Sequence, residues 1–279
     1  MRRYALNSSM PVLLRPDNRV QVGWDPRRAV LVHPPVGMTA ASLAELLRGM
    51  QAGMTMPDLQ AEAGRRGATD ADAMADLVAE LVSAGVATTT SRRRSRSASI
   101  RIHGRGPLSD LLTNALRCSG ARVAHSSLSH AAAPETTDLV VLSDFLIADP
   151  RVVRDLQSAG IAHLPVRVRD GTGLVGPLVI PGVTSCLGCA DLHRTDRDAA
   201  WPAVAAQLRD TVGTANRATV LATAALALNQ VDRIIRAVGD SGGVDGCEPP
   251  QTLDTTLEFD INTGSTVARR WSRHPQCSC

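Results

Sequence analysis

The sequence predicts an α/β protein in two parts: an N-terminal winged helix-turn-helix followed by a Rossmann-like domain with a structural zinc knuckle. Three observations predict it. Residues 1–90 run from short apolar segments into three amphipathic helical stretches; strands and helices alternate from about residue 98 onward; and two cysteine pairs stand far apart in the chain.

In the first part, apolar segments at 12–14, 19–22 and 29–33 are separated by Pro16-Asp17-Asn18 and Asp25-Pro26, which reads as a small sheet of turn-linked strands. Thr39 is expected to cap a helix carrying Leu43, Leu46, Leu47 and Met50. Thr55 is expected to cap a second with Met56, Leu59 and Ala63, and Thr69 a third with Met74, Leu77, Val78 and Leu81. A strand or wing over 86–90 completes a winged helix-turn-helix. The run Ser91-Arg92-Arg93-Arg94-Ser95-Arg96-Ser97 has no apolar residue and reads as an exposed linker, so the chain divides into 1–90, 91–97 and 98–279.

The second part opens with a strand at 99–103, the turn Gly104-Arg105-Gly106-Pro107 and a helix over 108–118. A strand at 121–125, the near-continuous apolar strand 138–143, a helix at 150–159 and a strand at 161–168 follow, the alternation of a doubly wound parallel sheet. A strand over 174–180 leads to Cys186; helices span 200–211 and 215–238; a hairpin around Asn262-Thr263-Gly264 closes the domain.

Composition narrows the chemistry. Aromatic residues are 2% of the 279, so stacking platforms for bases are scarce. All 30 cationic Lys/Arg residues are arginine, so phosphate contacts fall to guanidinium groups or backbone amides. Residues 1–90 balance nine Arg against nine Asp plus Glu, and the would-be recognition helix carries Asp58 and Glu62, which argues against nucleic acid as a partner. No apolar stretch is long enough to span a bilayer and the N-terminus lacks a secretory pattern, so no membrane partner and a cytoplasmic location are expected.

Cys186-Leu187-Gly188-Cys189 and Cys277-Ser278-Cys279 supply four thiolates in two knuckles, the donor set of a closed tetrahedral zinc site. The rival is a redox C-x-x-C, which sits at a helix N-terminus and leaves Cys277 and Cys279 unexplained. His274 is an alternative ligand, and His193 reads as structural or exposed. Gly104 and Gly106 follow a strand and open a helix, as in a dinucleotide-binding turn. Ser109 replaces the third glycine, Pro107 has no N–H, and no acidic residue ends the next strand. Asp144 follows the buried strand, where it serves as a cap or turn residue or holds a metal. Cys118 reads as a small buried hydrophobe and Cys247 as a loop cysteine without a base.

The order of 104–109, 138–145, 173–189 and 277–279 resembles the ubiquitin-activating-enzyme-like (ThiF/MoeB) superfamily. Gly176-Pro177-Leu178-Val179-Ile180-Pro181-Gly182, the C-x-x-C, Asp191 to Arg197, Trp201-Pro202 and His274 to Cys279 are similar to a narrower group. That group is the cyclodehydratase C-proteins of thiazole/oxazole-modified microcin biosynthesis. The resemblance implies a winged helix that binds a precursor's leader peptide, a degenerate adenylating domain with Gly104, Gly106 and Asp144 as a vestigial nucleotide site, and a structural zinc. It also implies a YcaO-type partner that performs the chemistry, and pairing as a homodimer. The leader would add as a strand near Ala29, Val30, Leu31 and Val32, against Asp72, Met74, Leu77 and Leu81. Adenylating members use a lysine and a ribose carboxylate; this chain has neither, so the expectation is a non-catalytic scaffold presenting a peptide or protein partner, with ATP not expected. The alternatives are an ATP-dependent carboxylate adenylyltransferase and a winged-helix DNA-binding regulator.

Overall fold

In the computed structural model, the described residues are 2–91, 97–127, 136–239 and 249–279. The Arg/Ser run at 92–96 and Cys247 lie outside them. The chain divides into two compact units, Met1–Arg94 and Ser95–Cys279.

The first unit contains β1 (Arg2–Leu6), β2 (Val12–Leu14), β3 (Val20–Val22), β4 (Val30–Val32), α1 (Ala40–Met50), β5 (Met54–Thr55), α2 (Met56–Arg65), α3 (Ala71–Ser83) and β6 (Ala87–Ser91). Helical spacing buries Leu43, Leu47 and Met50 of α1 against Leu59 of α2 and Met74, Val78 and Leu81 of α3. The Thr39 hydroxyl accepts from Ser42 N at 3.1 Å, and Thr55 and Asp58 form a reciprocal capping box. The cap of α3 is Asp70, which accepts from Asp72 N at 2.9 Å, not the expected Thr69. Thr69 instead gives both its N–H and its hydroxyl to Val36 O. Strand β1 is absent from the sequence reading; it joins β5 and β6 in one antiparallel sheet, while β2, β3 and β4 form another.

The second unit contains β7 (Ser99–His103), α4 (Pro107–Leu116), β8 (Arg122–Ser126), β9 (Leu139–Ser143), α5 (Pro150–Ser158), β10 (Ala162–Arg169), β11 (Thr172–Val175), α6 (Leu187–Thr195), α7 (Trp201–Leu208), α8 (Arg217–Gly239), β12 (Thr255–Asp260) and β13 (Ser265–Arg270). One seven-stranded sheet runs β13-β12-β11-β10-β9-β7-β8. Strands β8, β7, β9 and β10 are parallel; β11, β12 and β13 extend the sheet antiparallel.

The strand alternation assigns the two faces. Leu139 and Val141 of β9 pack with Leu108, Leu112 and Leu116 of α4 and Ala227 and Val231 of α8, while Val140 and Leu142 pack with Leu156 of α5. With helices on both faces, the parallel strands are near-continuously apolar, which is why 138–143 is legible as a buried strand. Among the described residues, no helix is long and apolar enough to cross a membrane.

Candidate functional site

Two sites lie in the second unit. The first is the sulfur cluster. Cys186 N-caps α6, its Sγ accepting from Cys189 N at 3.4 Å, while the segment after β13 brings in Cys277 and Cys279. The Sγ–Sγ distances are 3.8 Å for Cys186–Cys189, 3.5 Å for Cys186–Cys277 and 3.4 Å for Cys189–Cys279, and all four sulfurs lie within 4.8 Å of one another. A tetrahedron with metal–sulfur bonds of roughly 2.3 Å has edges of roughly 3.8 Å, so the four donors fit one ion. Burial pushes the Cys186 thiol well up, a cost that a bound cation removes by stabilising the thiolate. The C-x-x-C does stand at a helix N-terminus, so that criterion does not separate metal from redox chemistry here; the second cysteine pair does.

His274 does not join the sulfur cluster. Its Nε2 faces Asp196 Oδ2 at 2.9 Å, its Nδ1 accepts from Gln276 N at 3.1 Å, and its ring stacks edge-on against His193. His193, Asp196 and His274 form a second group of metal-ligating side chains. Cys118 is exposed and lies beyond the end of α4, against the expectation of a buried side chain.

The second site lies at the carboxyl ends of the parallel strands, where open α/β sheets take their ligands. Asp144, immediately after β9, is 1% exposed and lies at φ 73°. Its carboxylate accepts from Leu108 N at 2.9 Å and Ser109 N at 3.1 Å, the free amides at the start of α4. The two turn glycines make room for it. A Cβ at Gly104 would come within 2.4 Å of Ser143 O, and one at Gly106 within 2.8 Å of Asp144 Oδ1. Gly104, Gly106 and Asp144 therefore do converge, and the protein's own carboxylate occupies the amides that a dinucleotide-binding turn offers to phosphate.

Beside this turn opens a cavity of about 270 Å³, lined by His103, Arg105, Ser143, Arg151, Arg167 and Arg209 among others. Arg151 pairs with Asp149 at 3.1 Å and Arg209 with Asp210 at 3.6 Å; Arg105 and Arg167 have no carboxylate partner among the described residues. The cavity is therefore cationic. Burial, then the Arg101 charge, holds His103 below the usual imidazole range, so it is neutral at neutral pH. Sequence reasoning missed these arginines because they come from a turn, α5, β10 and α7's end, and no local spacing links them.

In the first unit the residues expected to receive a peptide divide by exposure. Leu31 and Asp72 are exposed, Ala29 and Val30 are partly buried, and Val32, Met74, Leu77 and Leu81 belong to the core.

No family model and no curated protein matches this chain. Solved structures do. A heterocyclase in complex with substrate and cofactor is 14% identical with a TM-score of 0.67, and covers 100% of this chain and 39% of its own. The E. coli MccB structure with ATP is 12% identical with a TM-score of 0.59, covering 100% of this chain and 99% of its own. The microcin C7 biosynthetic enzyme MccB in complex with N-formylated MccA is 13% identical with a TM-score of 0.60 and the same coverage. The chain shares the fold of these structures. The chain spans 39% of the length of the heterocyclase that it matches.

These findings correct the expectation of a non-catalytic scaffold without ATP. The same fold, over nearly the whole of both chains, belongs to a biosynthetic enzyme and to a structure that holds ATP. The absence of lysine removes one cation type only; the cavity wall carries four guanidinium groups.

Proposed function

We infer that the chain is an ATP-dependent enzyme that activates a carboxylate by adenylation, acting on a peptide. The observation that carries this reading is the arginine-lined cavity at the strand ends, with Arg105 and Arg167 making no ion pair among the described residues. Planar, permanently charged guanidinium groups with several donors each suit a polyphosphate, and they hold no proton that neutral pH removes. In the reaction a carboxylate oxygen attacks the α-phosphorus. A C–O–P bond forms, the bond to the β-phosphate oxygen breaks, and pyrophosphate leaves with the electron pair. Arginines at the cavity wall stabilise charge that is shifting from carboxylate to pyrophosphate.

The MccB complex with N-formylated MccA supports a peptide as substrate. The motifs from Gly176 to Cys279, rather than these structures, are the ground for placing the chain in the cyclodehydratase C-protein group with a YcaO-type pathway partner. The first unit would act as a winged helix-turn-helix that reads the leader. Edge strand β4 offers backbone hydrogen bonds, and Leu31 and Leu13, on either side of Gln21 in β3, offer exposed apolar surface. The cysteine cluster would hold one zinc with all four positions closed, which ties the end of β13 to α6 and leaves no water to activate.

ATP–pyrophosphate exchange with purified protein tests the enzyme reading. Exchange that depends on a free-acid peptide supports it. Absence of exchange together with absence of ATP binding by calorimetry would overturn it.

A further inference from the structure

Val166 and Val168 of β10 enter the core, so Arg167 between them faces the other side of the sheet. There it lines both the strand-end cavity and a second cavity of about 500 Å³. Trp201 and Trp271 wall the second cavity, and Arg194 lies between them, its Cζ 5.1 Å and 4.9 Å from the two ring centroids. Asp191 Oδ1 accepts from Arg194 Nη1 at 2.8 Å and Trp201 Nε1 at 3.1 Å, and Trp271 Nε1 donates to Thr256 Oγ1 at 2.9 Å. Both rings are held before any ligand arrives.

Of the charges lining this cavity, Arg197 and Asp198 are exposed and make no ion pair among the described residues, and the partly buried ones are matched except at one place. Asp191 answers Arg194, and Glu258 answers Arg269 at 2.9 Å and Arg169 at 3.7 Å. Arg167 has no hydrogen-bonding or ion-pairing partner among the described residues. Burial, with the Arg194 charge beside it, pulls its pKa down to about 10. Asp191 attracts it only from beyond ion-pair distance, its carboxylate being taken by Arg194 and Trp201, so this crowded guanidinium in the wall between two cavities is a costly arrangement that a bound anion relieves.

We propose that the Trp201–Trp271 cavity is the subsite for the acid substrate, a peptide ending in a planar side chain, whose C-terminal carboxylate binds Arg167. This rests on the adenylation reading for its chemistry. With nucleotide phosphates in the first cavity, Arg167 serves both substrates. It offsets the repulsion between the carboxylate and the α-phosphate and holds the attacking oxygen beside phosphorus. The rigid indoles, with the Arg194 guanidinium lodged between them, contribute flat walls that select a planar side chain.

Tryptophan emission reads this cavity directly once Trp24, the third tryptophan and 80% exposed in the first unit, is removed by Trp24→Phe. The probe is N-acetyl-Gly-Gly-Phe as free acid and as C-terminal amide, titrated without ATP. The acid is expected to shift the emission saturably and the amide to bind at least ~10-fold more weakly, the scale of one lost charged hydrogen bond. Arg167→Lys, which keeps the charge but not the fork, is expected to weaken the acid by a similar factor and leave the amide unchanged. Equal affinity for acid and amide, or an unaffected acid in Arg167→Lys, overturns the subsite. If Arg167→Lys fails to fold by circular dichroism, the acid–amide contrast on the parent protein decides alone. Acid-selective binding without pyrophosphate exchange and without ATP binding overturns the adenylation reading and leaves the carboxylate subsite standing; exchange without acid selectivity does the reverse.

Discussion

Replacing Asp144 with alanine separates a structural carboxylate from a ligand-holding one. The side chain is 1% exposed and accepts from two backbone N–H groups at 2.9 Å and 3.1 Å. Its removal leaves two amides at the start of α4 buried without a partner, at about 1–3 kcal/mol each. The cavity beside the turn can admit water and recover part of that cost. The residue's φ of 73° also suits alanine less well than aspartate or asparagine. The expected loss is about 3 kcal/mol for Asp144→Ala. For Asp144→Asn, which keeps one acceptor oxygen and tolerates the backbone, it is about 1 kcal/mol. For a unit of this size, 1 kcal/mol moves the melting temperature by about 2–4 °C, so calorimetry of the full chain should show a drop of about 6–12 °C in the transition of the second unit. An Asp144→Ala protein melting within about 2 °C of the parent, yet unable to bind ATP, would refute the capping argument and place the carboxylate in the ligand site.

Cys279→Ser is expected to remove most of a metal content of about one zinc per chain, read by atomic emission, and to lower the melting temperature, because a structural zinc contributes on the order of 10 kcal/mol. Arg105→Ala is expected to weaken ATP binding about 10-fold in calorimetry, the equivalent of one charged hydrogen bond, with the melting temperature unchanged in the absence of nucleotide. Burial holds His163 and His103 below their ordinary value of 6.5, so on acidification the unfolded chain takes protons first and stability falls as pH drops through that value. His163→Leu should flatten this slope in melts from pH 7.5 to 5, since it removes a fully buried imidazole whose Nε2 has no partner. Leu31→Asp should abolish peptide binding by the first unit while leaving its melting temperature within about 1 °C, as surface substitutions do.

Much of the architecture was legible because its causes are local or periodic. Leu108, Leu112 and Leu116 announce α4 by helical spacing, and the four cysteines announce a metal site by pairing and by chemistry. Strand β1 was not legible. Arg2 to Leu6 has no turn signal before it and no strict alternation, and its strand character comes from pairing with β6, more than eighty residues away. The helix after Cys186 was missed because its start is marked by a cysteine acting as cap rather than by Ser, Thr or Asp. Arg167 was hidden inside what reads as an ordinary buried strand, because no local spacing shows that it lacks an ion pair among the described residues. Absence of lysine, by contrast, was plain and was over-read: charge and fork geometry, not the residue's name, are what a phosphate meets.

The sulfur cluster and the tryptophan cavity are mechanically one object. Helix α6 leaves the cluster at Cys186 and delivers Arg194 near its far end, while the chain beyond β13 passes Trp271 before returning at Cys277. The guanidinium and one of the indoles that flank it are thus moored to the same four atoms. Oxidation of those thiols, or loss of a metal held by them, would therefore shift Arg194 and Trp271 together, although neither belongs to the cluster.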